Sequence, residues 1–181
     1  NASEYHYDQI SGTGSLIKSG AGNVVLNGNN TYTGGTTISE GILSIGGTAG
    51  SITGDILNNG ELRLLRTNDY TFAGDISGTG SVSNYLSGTT TLTGNNTYSG
   101  ITYIRDGILQ IGDGGTSGTL GTGNVTNNST LVFNRSDDSG YAGVISGTGS
   151  VTKESAGNFN LTGTNTYTGA TTVNAGILSV N

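Results

Sequence analysis

The side chains best suited to binding or catalysis lie in two separate stretches of the chain. Arg63 and Arg66 form one group, and Arg135 forms the other with Asp137 and Asp138. Arginine is frequent at interface hot spots, because its planar guanidinium pairs with carboxylates and stacks on aromatic rings. We therefore predict that these five residues bind a partner. The alternative is that the charges only keep the surface soluble.

Carboxylates could also serve a glycosidase or a polysaccharide lyase, but the patterns that such chemistry needs are missing. No Asp-x-Asp-x-Asp-Gly calcium loop occurs. The single histidine, His6, lies in Tyr5-His6-Tyr7-Asp8 with no sign of a partnered nucleophile or of a third, orienting group. We predict that the chain is not an enzyme, has no catalytic residue and no metal site, and needs no cofactor.

Short motifs recur along the chain at nearly constant intervals. Asn30-Thr31-Tyr32-Thr33-Gly34 returns with little change at 96–100 and again at 165–169. Two further motifs keep the same interval: Ile-Ser-Gly-Thr-Gly-Ser at 10–15, 76–81 and 145–150, and Gly-Ile-Leu at 41–43, 107–109 and 176–178. Repetition on this scale indicates an elongated array of stacked units and not a single catalytic centre.

The composition predicts that the stacked units are β-structure. The chain has 34 glycines and no proline, and Thr, Ser, Asn and β-branched residues make up much of the rest. These residues are poor helix formers, and no long helical periodicity appears. Strand-like runs such as 23–26, 42–45 and 61–65 alternate with turns rich in Gly and Asn, which is typical of a parallel β-helix. A hairpin-based sandwich is the alternative, since Asn27-Gly28 and Asn59-Gly60 could form hairpin turns.

The spacing of these runs predicts the dimensions of the solenoid. We expect three rungs of roughly 20 to 24 residues in each period, and roughly eight or nine rungs in all. Tyr32, Tyr98 and Tyr167 would then lie on one line along the axis. Leu43, Leu109 and Leu178 are expected in the core. Lys18 and Lys153 share a repeat position, for which we predict a solvated corner.

The repeated pattern resembles a known family. The first copy has Gly14, Leu16, Lys18, Gly20, Gly22, Leu26, Gly28, Asn30, Tyr32, Gly34, Thr36, Ile38, Gly41 and Leu43 in a fixed order. This order resembles the autotransporter-associated β-strand repeat, also called the passenger-associated transport repeat. The third copy keeps it from Gly149 to Leu178, whereas the second departs from it at Asn84, Leu86 and Tyr103.

The resemblance implies a right-handed parallel β-helix in the passenger of a bacterial type V secretion system. Such a passenger is secreted or displayed on the cell surface, and an outer-membrane β-barrel translocator exports it. We expect one β-helical segment over 1–181, with repeat motifs at 10–45, 76–111 and 145–180. It would be a fragment of a longer chain, since no signal peptide or barrel is recognised. Ser51 to Ala73 and Gly114 to Gly143 match no motif, so they are where we expect partner-specific residues.

Several functions are compatible with such a segment. Twelve acidic residues against six basic ones give a net charge of −6, which argues against nucleic acid and anionic membranes as partners. The first hypothesis is an adhesin or receptor-binding virulence factor that contacts a host cell-surface protein or glycan. The second is a structural stalk or folding module for another passenger domain. A polysaccharide-active enzyme and an ice-binding protein, the latter suggested by Thr-rich runs, are weaker alternatives.

Overall fold

The computed structural model describes residues 3–180, and within them every regular element is a β-strand. Between residues 3 and 180 no helix is long and apolar enough to cross a membrane. All strand pairs are parallel. The strands stack as a β-solenoid of about nine turns. The predicted all-β parallel solenoid is confirmed, and the hairpin sandwich is excluded.

The strands form three faces that the chain visits in turn. Face 1 is an eight-stranded sheet of β1 (Glu4–His6), β3 (Asn23–Leu26), β5 (Ile42–Gly46), β7 (Glu61–Leu65), β10 (Ser81–Asn84), β12 (Thr102–Ile104), β14 (Val125–Asn127) and β17 (Ile145–Ser146). Face 2 is a six-stranded sheet of β8 (Tyr70–Phe72), β11 (Thr89–Leu92), β13 (Ile108–Ile111), β15 (Thr130–Phe133), β18 (Ser150–Lys153) and β20 (Thr171–Val173).

Face 3 is divided between two smaller sheets. The first has four strands, β2 (Leu16–Lys18), β4 (Thr36–Ile38), β6 (Ile56–Asn58) and β9 (Ile76–Ser77). The second has three, β16 (Ser139–Tyr141), β19 (Asn158–Leu161) and β21 (Ile177–Val180). The strands of the first sheet each come directly before a strand of face 1, and those of the second each come directly after a strand of face 2. Both sheets therefore occupy the same position in the turn, between face 2 and face 1.

A period of the repeat holds more than three turns of the solenoid, so the prediction of three rungs in each period is wrong. Leu16 pairs with Thr36, Thr36 pairs with Ile56, and Ile56 pairs with Ile76. Three turns therefore carry the chain from Leu16 to Ile76 on face 3. The repeat counterpart of Leu16 is Val82, which lies on β10, the next strand along the chain. Each period thus spans three turns and about one third of a fourth.

Because of this remainder, successive copies of the repeat lie on successive faces. Tyr32 precedes β4 on face 3, Tyr98 precedes β12 on face 1, and Tyr167 precedes β20 on face 2. The three tyrosines therefore lie at three different corners, and the expectation that they form one line is wrong. In each copy the tyrosine hydroxyl shares a hydrogen bond with the hydroxyl of the threonine four residues later, at 2.7, 2.7 and 2.8 Å.

The second period is longer than the first because one of its turns is wider. Thr102 on β12 pairs with Val125 on β14, 23 residues later, and the extra residues lie in the loop between β13 and β14. The other turns of this period keep the ordinary length, as in the pairing of Val125 with Ile145. The insertion therefore does not change the shift of each repeat copy to the next face.

The repeated asparagine explains why the Asn-Thr-Tyr motif returns. Oδ1 of Asn96 accepts a hydrogen bond from the Ile76 amide one turn below, at 2.9 Å. Its Nδ2 donates to the Thr119 carbonyl one turn above, at 2.6 Å. Asn30 makes the same pair of bonds to the main chain of the turns below and above it. The asparagine thus joins three turns and satisfies polar groups at a buried corner.

The glycine that ends this motif is fixed by close approach between turns. A Cβ atom added to Gly34 would lie 2.6 Å from the carbonyl carbon of Gly14 on the turn below. Any side chain there would force the turns apart. The same stacking of glycine on glycine occurs at Gly100 over Gly80.

In-register apolar side chains fill the interior. On face 1 the stack of inward residues includes Leu43, Leu62 and Val82, each at most 1% exposed. Leu43 and Leu109 are fully buried, as predicted, while Leu178 in the last turn is partly buried and packs against the core.

Lys18 and Lys153 are interior residues, so the prediction of a solvated corner is wrong. They are 5% and 0% exposed. Nζ of Lys18 donates to the carbonyls of Ser19, Gly20 and Glu40, at 3.1, 2.5 and 3.0 Å. These bonds use all three ammonium donors and satisfy main-chain carbonyls where the chain turns. Burial lowers the pKa of Lys153, whose Nζ donates to a main-chain carbonyl nearby.

The two stretches expected to lie outside the repeat belong to it. Strands β6 to β9 and β14 to β17 follow one another in the same order, each displaced by one face. Asn58 and Asn127 hold equivalent positions in successive periods. Both make the same bond, from Nδ2 to the carbonyl of the serine 23 residues later, at 2.8 Å. The repeating unit is therefore the whole period.

Replacing Leu109 by alanine should destabilise the protein by about 2–5 kcal/mol, through lost transfer free energy plus a cavity in the middle turn. Urea melts followed by circular dichroism measure the change. Thr97→Ala, at an exposed position, is the control and should cost far less. Equal losses from the two variants would mean that the interior is wrongly placed.

Candidate functional site

Arg66 and Arg135 are structural twins that both bind main-chain carbonyls of a neighbouring turn. Arg66 is only 4% exposed, and its guanidinium donates to the carbonyls of Gly50 and Thr48. Arg135 donates from Nη1 to the Gly118 carbonyl at 2.8 Å. Each guanidinium holds the loop that follows the Gly-Ile-Leu strand of the preceding turn. The guanidinium of Arg66 is thus engaged inside the protein, and the binding of a partner by Arg66 and Arg135 stays a prediction.

The acidic residues near Arg135 are engaged within the chain. Arg135 forms a two-pronged ion pair with Asp137, through Nε at 2.9 Å and Nη2 at 2.7 Å. The hydrogen bond from Arg135 lowers the pKa of Asp137. Asp138 is exposed, and its Oδ1 accepts from the Asn158 amide at 2.9 Å. This group follows β15 of face 2, so it does not meet Arg63, which lies on face 1.

Arg63 belongs to a different cluster, which we call the Tyr85 patch. The patch consists of Glu61, Arg63, Tyr85, Tyr103 and Arg105. These residues come from β7, β10 and β12, three consecutive strands of face 1, or from the position directly after them. Parallel pairing sets Arg63, Ser83 and Tyr103 side by side across the three strands, with Ser83 itself fully buried.

Cations and rings alternate along this patch. The Arg63 guanidinium lies 5.2 Å from the Tyr85 ring centroid, and that of Arg105 lies 5.0 Å from it. Arg105 is also 5.0 Å from the ring of Tyr103. Such contacts stabilise a cation over the negative face of a ring and restrict the guanidinium to few orientations.

Glu61 holds one end of the patch. Its carboxylate accepts from Nε and Nη2 of Arg63, at 2.9 and 2.8 Å, and from the buried Ser83 hydroxyl at 2.9 Å. Burial tends to raise the pKa of Glu61. The hydrogen bonds from Arg63 and Ser83 and the charges of Arg63 and Arg105 outweigh that effect, so the pKa stays below its ordinary value of 4.5.

Arg105 differs from Arg63 because its guanidinium is unpaired. It is exposed, and among residues 3–180 it has neither an ion pair nor a side-chain hydrogen bond. The neighbouring Asp106 uses Oδ1 to accept from the Gly107 amide at 2.8 Å. Arg105 thus presents a positioned set of N–H donors, the geometry that recognises a carboxylate or another oxyanion.

The sequence analysis missed Tyr85 and Arg105, although a signal was available. Tyr85, Tyr103 and Arg105 stand where the first copy has serine, threonine and serine, at 19, 37 and 39. A departure from the pattern does not by itself distinguish a contact surface from decay of the repeat. The concentration of these departures on one face is visible only once the strand register is known. Among the described residues no cluster of His, Asp or Glu could hold a metal ion.

Comparison with known proteins agrees with the repeated architecture. A family model described as passenger-associated-transport-repeat matches residues 16–45, 87–111 and 151–180. The chain is 40% identical over 149 residues to the "Adhesin BmaC autotransporter" of Brucella suis biovar 1 (strain 1330), covering 80% of this chain and 4% of that protein. It is 50% identical over 44 residues to an "Extracellular serine protease" of Serratia marcescens, covering 24% of this chain and 4% of that protein. No solved structure matches the chain.

These findings define the class of protein. A parallel β-solenoid that carries three matched transport repeats is a segment of an autotransporter passenger. The chain belongs to the passenger-associated transport repeat family, and such a segment is secreted or displayed at the bacterial surface. It spans 4% of the length of each of these two relatives.

Acid should weaken the Tyr85 patch through Glu61. Since the folded-state pKa of Glu61 is depressed, the contribution of its carboxylate to stability is complete above pH 4.5 and is lost as the pH falls through that folded-state pKa. Between pH 7 and pH 3, urea melts should show that the free energy of unfolding falls more for the wild type than for Glu61→Gln, by about 0.5–1 kcal/mol.

Glu40→Gln is the matched control for this acid effect. Glu40 is exposed, and its carboxylate has no hydrogen bond among residues 3–180. This variant should lose as much stability on acidification as the wild type. If Glu61→Gln also behaves like the wild type, the carboxylate does not have the role described here.

Proposed function

We propose that this passenger segment acts by contact, presenting the Tyr85 patch to a protein or glycan of the host cell surface. The observation that carries the proposal is the unpaired guanidinium of Arg105, held against two tyrosine rings on face 1. Arginine and tyrosine are among the residues most enriched at binding hot spots. The adhesin name of one relative supports the same class of function for this chain.

The arrangement of the repeat favours this patch over the repeated motifs. Equivalent residues of the three copies point in three directions, so a repeated side chain cannot line up along one contact face. Repeated residues such as Asn96 and Tyr98 are also buried in the fold. A contact surface must therefore come from residues in which one copy departs from the others, as Tyr103 and Arg105 do.

Catalysis has no place in this proposal. A serine protease needs a serine activated by a histidine that a third group orients. His6 is exposed on β1, the first strand of the described region, and it has no side-chain hydrogen bond among residues 3–180. The similarity to the extracellular protease covers 44 residues. We propose that this similarity reflects the shared scaffold, and that the full-length protein is exported by an outer-membrane translocator.

Binding of the fluorescently labelled chain to cultured epithelial cells tests the proposal. The wild type should bind and saturate. The triple variant Tyr85→Ser, Tyr103→Thr, Arg105→Ser takes the residues of the first copy, so it should fold normally and lose at least tenfold in affinity.

A second variant, Thr31→Ala, Thr97→Ala, Thr166→Ala, changes exposed residues of the repeated motif and should bind as the wild type does. Loss of binding in this variant alone would mean that the contact surface lies on the repeated motif and not on the Tyr85 patch. No saturable binding by the wild type would indicate a stalk.

A further inference from the structure

A groove continues from the Tyr85 patch along face 1, toward the first turn. Tyr5, Tyr7, Val25, Leu65 and Leu86 line it together with a floor of small residues, Gly46, Gly47 and Ala49. Tyr5 and Tyr7 are 59% and 73% exposed, and their rings stack with centroids 6.5 Å apart. The walls of the groove are therefore mostly apolar, and three of the residues that form them, Tyr5, Tyr7 and Leu86, are exposed.

The strand register joins the groove to the patch. Gly46 pairs with Leu65 across β5 and β7. Leu64, Asn84 and Ile104 pair with one another across β7, β10 and β12. The residues that directly follow them, Leu65, Tyr85 and Arg105, therefore continue the same line on the next two turns. With about 4.8 Å between turns, Arg105 lies roughly 14 Å along the axis from Gly46. An apolar floor thus leads to an unpaired cation.

We propose that the groove and the Tyr85 patch form one site for an extended protein segment that carries apolar side chains followed by a carboxylate. This inference rests on the contact function proposed above and names the chemistry of the partner. In an extended chain, residues i and i+4 are about 14 Å apart on the same side. A leucine over Gly46 therefore places a glutamate four residues later beside Arg105.

The groove suits apolar side chains better than it suits a sugar. Burial of a leucine against Val25, Leu65 and Leu86 is favourable in proportion to the apolar area removed from water. Sugar hydroxyls buried there would lose hydrogen bonds to water, and apart from tyrosine the lining residues offer only one asparagine and one threonine as polar side chains. The Arg105 guanidinium supplies the charge complementarity, because it has no carboxylate of its own among residues 3–180.

The loop that forms the floor is held in place from within. Buried Arg66 donates to the carbonyls of Thr48 and Gly50. The groove is therefore formed before a partner arrives, which lowers the entropic cost of binding. Arg66, although buried, serves the contact face by positioning this loop.

A synthetic peptide, acetyl-Ser-Leu-Thr-Leu-Thr-Glu-Ser-amide, is the probe. Titration into the isotopically labelled chain should shift amide resonances of the groove and the patch and leave faces 2 and 3 unchanged. The same peptide with glutamine in place of glutamate should bind at least tenfold more weakly. The absence of localised shifts with the first peptide would overturn the inference.

Two variants separate the two halves of the site. Arg105→Ser should weaken the glutamate peptide at least tenfold and leave the glutamine peptide unchanged. Leu65→Asn introduces the residue that the equivalent position 134 carries, so the fold should tolerate it, and it should weaken both peptides. Ser39→Ala, at the repeat position of Arg105 but next to β4 on face 3, is the control and should change nothing.

An acidic oligosaccharide, a heparin tetrasaccharide, tests the competing partner. If it shifts the same resonances while the peptide does not, the site binds glycans and the inference is wrong. Cell binding and peptide binding can also fail separately. Retained peptide binding without cell binding would uphold this site and remove the host cell as its target. Retained cell binding without peptide binding would overturn this inference alone.

Discussion

The structure depends on one constraint, the in-register stacking of parallel turns of nearly constant length. Every turn must place its main-chain donors and acceptors opposite those of the next turn, because an unpaired buried amide is costly. The Asn-Thr-Tyr motif meets this demand at the corners, where Asn96 joins the turns below and above it. Glycine at positions such as Gly34 lets the turns approach to the required distance.

The length of the turn also determines how the surface is organised. The period of the repeat does not contain a whole number of turns, so each copy of the repeat lies one face further around the solenoid. The repeated residues therefore fill the interior and the corners, where every face requires the same packing and the same main-chain hydrogen bonds. The outer surface of any one face mixes residues from different parts of the repeat. This arrangement leaves face 1 free to carry the Tyr85 patch without disturbing the stacking.

Much of the fold could be predicted from the sequence, because β-solenoid strands and corners have strong local signals. The strands at 23–26 and 61–65 agree with the observed bounds of β3 and β7. The length of a turn could not be fixed, because a turn that is longer by an even number of residues still places apolar residues inward at alternate positions. A small error in each turn accumulates along the stack, which is why the expected alignment of Tyr32 with Tyr98 was wrong.

The interior cations were beyond sequence reasoning for a different reason. Lysine and arginine are seldom buried, so the sequence predicts Lys18 and Arg66 at the surface. Their burial depends on main-chain carbonyls converging from neighbouring turns, which is a property of the assembled solenoid. Likewise Tyr85 and Arg105 lie a full turn apart in the sequence, and only the register brings them together.

Disulfide cross-linking tests the length of the turn most directly, since the chain has no cysteine of its own. Ile17 and Thr37 are partners on adjacent strands of face 3. Their Cα atoms should be about 4.8 Å apart, within the range that a disulfide spans, whereas Ile17 and Ser39 should be about 8 Å apart. Under mild oxidation the Ile17→Cys, Thr37→Cys variant should form an intramolecular disulfide and the Ile17→Cys, Ser39→Cys variant should not. Cross-linking of the second pair and not of the first would establish a longer turn and contradict the rotation of the repeat.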